Sequence, residues 1–150
     1  MNINTLFKLG KPILHKLDAE TAHSVTIKGL KTNLAPTSRG VKSPRLKQGF
    51  CGITFENPVG LAAGFDKNAE VIAPILGLGF GFTEVGGITP NPQGGLPKPR
   101  IFRDPTHEAV INKMNFPNVG MRQFKKNVSK LPDRQPGQLR QDYELMLKKI

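Results

Sequence analysis

The sequence predicts an α/β fold behind a small helical front, and three observations predict it. Two short apolar runs, 59–63 and 80–85, bracket a helical pattern at Val71, Ile72, Ile75 and Leu76. Strand, helix, strand implies a parallel pair joined by a right-handed crossover. The first 31 residues instead carry apolar positions at helical spacing, interleaved with lysine. Between these textures, residues 34–46 hold Pro36, Ser38, Gly40, Ser43 and Pro44 and little that is apolar, which reads as a linker.

The elements follow in order. Ile3, Leu6 and Phe7, then Ile13, Leu14 and Leu17, form two apolar groups on a helical period, with Gly10 and Pro12 between them as a kink. Asp18 is placed to cap a second helix through about Lys31, with Val25, Ile27 and Leu30 as its apolar positions and His23 near its start. Phe50 and Cys51, then Ile53, Thr54 and Phe55, flank Gly52 as a short hairpin. In parallel sheets ligands collect at the carboxyl ends of the strands, where "GFDKN" and "GGITPNPQGG" fall. The small residues of "NPVGLAAGFDKNAE" let a flat ligand lie against the backbone, because no larger side chain intervenes. Gly77, Gly79 and Gly81 in "LGLGFGF" lack the spacing of a dinucleotide fingerprint.

Composition narrows the partners. The chain has 150 residues, enough for one ordinary domain, and 22 Lys and Arg against 11 Asp and Glu give a net charge of +11. The excess is regional. The first fifty residues hold Lys8, Lys11, Lys16, Lys28, Lys31, Arg39, Lys42, Arg45 and Lys47 against Asp18 and Glu20 alone. Such a front suits nucleic acid or an anionic membrane surface. Tyr143 is the only tyrosine, tryptophan is absent and no recognition motif is present, so no nucleic acid partner is expected. Cys51 is the only cysteine, which excludes an internal disulfide and suits a reducing compartment. No run approaches the ~18 apolar residues of a membrane span. The expectation is a cytoplasmic protein or one on a membrane's inner face.

Three long stretches, "NPVGLAAGFDKNAE", "GFTEVGGITPNPQGGLPKPRIFR" and "INKMNFPNVG", follow one another as they do in dihydroorotate dehydrogenases. The preceding "LDAETAH" resembles the helical extension of the membrane-associated, quinone-using class. The resemblance runs from about residue 5 to residue 131. It implies a (β/α)8 barrel carrying FMN, oxidation of dihydroorotate to orotate, and a quinone acceptor entering between the extra helices. By resemblance Ala63, Gly64, Phe65, Asp66 and Lys67 line the flavin, with Gly87 on the next strand also against it. Lys67 would reach the substrate carboxylate as well. A flat isoalloxazine needs small neighbours, and an ammonium beside it stabilises negative charge developing on the ring. Asn112, Lys113, Met114, Asn115 and Phe116 match the orotate-binding loop, whose usual pattern is Asn-Arg-Met-Gly-Phe; Lys113 and Asn115 depart from it. A glycine at the Asn115 position allows a positive φ, which asparagine tolerates better than most residues. His23 and Arg103 match positions facing the quinone channel.

The expected organisation is a helical extension over 1–33, a linker over 34–46, the first βα units of a barrel over 47–131, and a divergent tail over 132–150. A full barrel takes about 250 residues, so only its first strands are expected here. The resemblance lapses at Pro132, where "PDRQPGQLR" stands in place of an Asn-Ile-Gly-Lys-Asn type motif, and resumes at "QDYELMLKKI". A deletion is expected there, with the family's serine base in the missing part, so no catalytic base is assigned within the chain. Two outcomes remain open: a segment of a quinone-dependent enzyme, inactive as these 150 residues, or a remnant acting as a basic membrane-surface module or not at all.

Overall fold

The computed structural model describes residues 3–32, 37, 43–50 and 52–131, and the tail expected to diverge from Pro132 lies outside the described residues. So does Cys51, and most of the linker. Helix α1 spans Ile3–Lys16 and α2 spans Ala19–Lys31. Ile3 to Leu14 of the two apolar groups share one continuous helix that contains both Gly10 and Pro12, and Leu17 falls just past its end. Asp18 caps α2 as its sequence position predicts, accepting from the backbone N–H groups of Glu20 at 3.1 Å and Thr21 at 2.8 Å.

A 3-10 turn at Pro44–Leu46 leads into the antiparallel hairpin of β1, Gln48–Phe50, and β2, Ile53–Phe55. Gly52 at its tip takes φ +81°. Next come β3, Gly60–Leu61, α3, Ile72–Gly77, and β4, Phe82–Thr83. β3 and β4 pair in parallel with Gly60 opposite Phe82 and Leu61 opposite Thr83, so the predicted strand, helix, strand unit is present. Both strands are shorter than the apolar runs 59–63 and 80–85, although Gly81 N–H donating to Val59 C=O and Glu84 N–H donating to Leu61 C=O, each at 2.9 Å, extend the pairing. Gly60 allows this approach, because a Cβ there would stand inside the Phe82 ring.

Beyond β4 the chain makes a second antiparallel hairpin, β5, Ile101–Asp104, with β6, Ala109–Asn112, and then helix α4, Gly120–Val128. α3 is the centre of the packing. Val71, which caps it, and Ile75 are fully buried against Ile27 and Leu30 of α2, with Leu61, Phe65, Leu78 and Phe80 around them. Ile72 instead packs with Ala69, Phe124 and Val128, joining α4. Val25, expected on the apolar face of α2, is 46% exposed. Two residues from Ile27 is about 200° round a helix axis, so both cannot face one core. The described residues are a partial α/β fold, the first strands of a barrel behind a helical extension.

Candidate active site

β3 runs out into Ala62, Ala63, Gly64, Phe65, Asp66 and Lys67 at its carboxyl end. Ala62 and Ala63 are exposed, and Gly64 takes φ +103°. Asp66 is 1% exposed, and its two carboxylate oxygens accept from Glu70 and Val71 N–H at 2.8 Å each. These bonds close the turn that leads into α3, whose N-cap Val71 makes no side-chain capping bond. Asp66 therefore fixes the turn from which Lys67 projects.

Lys67 is half-buried and donates to the Gly64 carbonyl. Burial pushes the pKa of its ammonium below the ordinary lysine value, Glu20 and Asp66 oppose that, and Arg100 adds to the depression. It lines a cleft of about 280 Å³ together with Glu20, His23, Arg100, Met114 and Asn118. Across the strand pair, Gly87 is exposed at the end of β4. A Cβ at Gly87 would meet no atom within 4 Å, and the same holds at Gly64. Gly81, in contrast, is packed so tightly on the Asn57 carbonyl that a Cβ cannot fit.

The helical front is fastened over this end. His23 Nε2 lies 2.6 Å from the Phe65 carbonyl, and the two rings meet edge-on at 5.3 Å. A carbonyl only accepts, so the proton of that bond is on Nε2. Arg103 Nη1 donates to the Leu17 carbonyl at 2.7 Å and the His15 carbonyl at 3.3 Å, and its Nη2 to Leu14 at 3.4 Å. These are the carbonyls that the end of α1 leaves without intrahelical partners. Glu20 of α2 is buried and meets Arg100 in a bidentate pair, Nη2 to Oε1 at 2.7 Å and Nε to Oε2 at 3.1 Å. Arg100 holds the Glu20 carboxyl below the usual carboxylate range.

Of the residues that the sequence nominated, Lys67, Met114 and His23 line one cleft. Ala63 and Gly87 are exposed past the strand ends, while Asn112, the last residue of β6, and Lys113, Asn115 and Phe116 on the loop after it are exposed. Asn115 and Phe116 take φ +56° and +50°, the positive region that the glycine of the usual pattern enters without strain. Glu20, Arg100 and Asn118 were missed. Asn118 is 7% exposed and binds the Thr89 hydroxyl and the Phe116 carbonyl, each at 2.9 Å, so it braces that loop. A signal for Glu20 existed: Glu20, His23, Ile27 and Leu30 stand at 3, 4, 3 spacing, one face of a helix.

A parallel pair with small residues and a lysine at its carboxyl ends, clamped by two helices, defines the opening part of a β/α barrel. The family model described as "Dihydroorotate dehydrogenase" matches residues 45–147. The chain belongs to the dihydroorotate dehydrogenase family. It is 55% identical to the dihydroorotate dehydrogenase (quinone) of Allorhizobium ampelinum over 118 residues, 79% of this chain and 32% of that protein. It is 48% identical to the protein of the same name from Parvibaculum lavamentivorans over 123 residues, 82% of this chain and 35% of the other. Among solved structures, ligand-free DHODH from Eimeria tenella superposes with a TM-score of 0.74 at 40% identity, over 80% of this chain and 35% of that one. The same enzyme in complex with ferulenol gives 0.71 at 43% identity, over 75% and 30%. The chain thus spans about a third of the length of the curated relatives it matches.

Proposed function

We propose that this chain is the helical front and first barrel units of an FMN-dependent dihydroorotate dehydrogenase that uses a quinone, in pyrimidine biosynthesis, on the cytoplasmic face of a membrane. The observation that carries the reading is Gly87. It has neither a positive φ nor any atom within 4 Å of where a Cβ would stand, and it follows β4 as Ala63, Gly64 and Lys67 follow β3, at the same end of the parallel pair. Small residues after both strands, open where a Cβ would stand at Gly64 and Gly87, and a half-buried ammonium in the Gly64 turn suit a flat anionic cofactor. Ala63, Gly64 and Gly87 would hold FMN; Phe65 and Asp66 serve it by fixing the turn. When bound, FMN supplies the two-electron chemistry between dihydroorotate and the quinone.

The chain's own residues then bind and orient. Lys67 places positive charge where negative charge develops, and attracts the substrate carboxylate. Asn112 offers an amide to the pyrimidine edge, and Lys113, Met114, Asn115 and Phe116 shape the loop. No residue of this chain is assigned the removal of the substrate proton. His23 and Arg103 stand on the quinone side, between the helical front and the strands. No helix among the described residues is long and apolar enough to cross a membrane. Phe7, Leu9 and Ile13 on α1 are 63%, 63% and 66% exposed among Lys8, Lys11 and Lys16, which suits an anionic membrane surface. These exposed apolar side chains and the lysines between them also favour the second reading, a basic membrane-surface module without catalysis.

The test is a chimera in which residues 5–131 replace the matching segment of a full-length relative. It should bind FMN and reduce a quinone with dihydroorotate. Lys67→Ala should lower kcat on the order of 10²-fold or more while flavin stays bound, since one charge aimed at the reacting centre is removed. A folded, flavin-loaded chimera that oxidises no dihydroorotate, or a Lys67→Ala variant with normal turnover, would overturn the proposal.

A further inference from the structure

One guanidinium joins three parts of the molecule. Arg100 gives Nε and Nη2 to the carboxylate of Glu20 on α2, and its Nη1 donates to the Gly94 carbonyl at 2.6 Å and the Leu96 carbonyl at 2.9 Å. The segment it gathers is in turn laced to the loop after β6. Leu96 N–H donates to the Met114 carbonyl at 3.1 Å, Lys113 N–H to the Arg100 carbonyl at 2.9 Å, and Gln93 Nε2 to the Asn115 carbonyl at 2.7 Å. Gly95 is pressed between them, with φ +76° and the Met114 carbonyl where a Cβ would stand. Both Glu20 and Arg100 are buried, at 9% and 7% exposure. A buried pair in which either charge loses its partner is strongly destabilised, so the two groups move together or not at all.

We infer that the Glu20–Arg100 pair is a positioning element that couples the seat of α2 to the 112–118 loop. Substrate grip by that loop then depends on the helical front being docked, although Glu20 is not part of the loop. The inference rests on reading that loop as the substrate loop. The route is specific. Lys98 also meets Glu20, at 3.4 Å and from the same segment as Arg100, whereas the Lys31 to Glu70 tie of α2, at 2.5 Å, is exposed at 45% and 30% and leads to the turn before α3 instead.

The test reads amide hydrogen exchange without ligand in the full chain, and KM against kcat in the chimera. Glu20→Gln should speed exchange at 94–96 and 113–118 by about tenfold or more while α3 and α4 keep their rates. Glu20→Asp, which keeps the charge, should restore part of the protection. Lys31→Met, which removes the exposed tie, should leave the loop unchanged. In the chimera, Glu20→Gln should raise KM for dihydroorotate by about tenfold, a larger factor than any fall in kcat, as a lost binding contact does. Unchanged loop exchange, an equal response to Lys31→Met, or uniform acceleration of all helices in both Glu20 variants would overturn the coupling. Coupling seen by exchange with no orotate binding to the parent chimera would instead overturn the substrate-loop reading and leave the coupling standing.

Discussion

At the scale of single residues, the glycines divide into those that the fold needs and those that a ligand would need. Gly81 sits against the Asn57 backbone with no room for a methyl group. Gly81→Ala should therefore cost about 1–3 kcal/mol, the usual range for forced overpacking, and urea titration would measure it. Gly87→Ala meets nothing within 4 Å, so the fold should keep its stability within about 0.5 kcal/mol. In the chimera, however, the same methyl group should weaken FMN retention by about tenfold or more, since it fills the space a flat ring would occupy. Normal flavin affinity in Gly87→Ala would show that the open strip is not the flavin wall. The sequence exposed this pattern only in outline. It marked Gly64 and Gly87 as small residues at strand ends, but a run of glycines does not say which are packed, and Gly60 and Gly81 look the same in the text of the chain.

At the scale of elements, what was local was legible. The Asp18 cap, the Gly52 hairpin and the β3–α3–β4 unit all announce themselves within a few residues. The β5–β6 hairpin was missed because β6 is exposed along its length and β5 at its centre, so no alternation of burial imprinted itself. α4 was missed because its buried apolar side chains, Phe124 and Val128, are only two, set among Arg122, Lys125 and Lys126. The docking of α2 carries a pH signature. Arg100 lowers the pKa of Glu20, so the stability this gives is fully present above the unfolded value of about 4.3 and is lost as pH falls through the lower folded value. Thermal melts by circular dichroism should find Glu20→Gln less stable than the parent at pH 7, with the gap closing toward pH 3. A gap independent of pH would show that Glu20 contributes by packing alone.

At the scale of the whole molecule, the described residues offer one wall of a site. β3 and β4 pair only with each other among the described residues, and the Thr83 hydroxyl is buried without a hydrogen-bond partner. A strand pair alone leaves edge N–H and C=O groups open. The phosphate cradle that barrels build after strands 7 and 8 is not among these elements. The 150-residue polypeptide by itself should therefore hold FMN at least about 100-fold more weakly than the chimera, since contacts on one face scarcely offset the ordering they require. Fluorescence titration with FMN would check this, and comparable affinity would mean that the strand ends alone suffice.

The Glu20–Arg100 pair joins residues 80 positions apart, and that separation sets a clock. At a synthesis rate of about 5–20 residues per second, Glu20 leaves the ribosome roughly 4–16 seconds before Arg100. Through that interval α1 and α2 are already long enough to coil, but the guanidinium that seats them has not been made. Phe7, Leu9 and Ile13 stay exposed even after docking. The nascent front thus presents these apolar side chains among its lysines before the barrel strands that seat α2 exist.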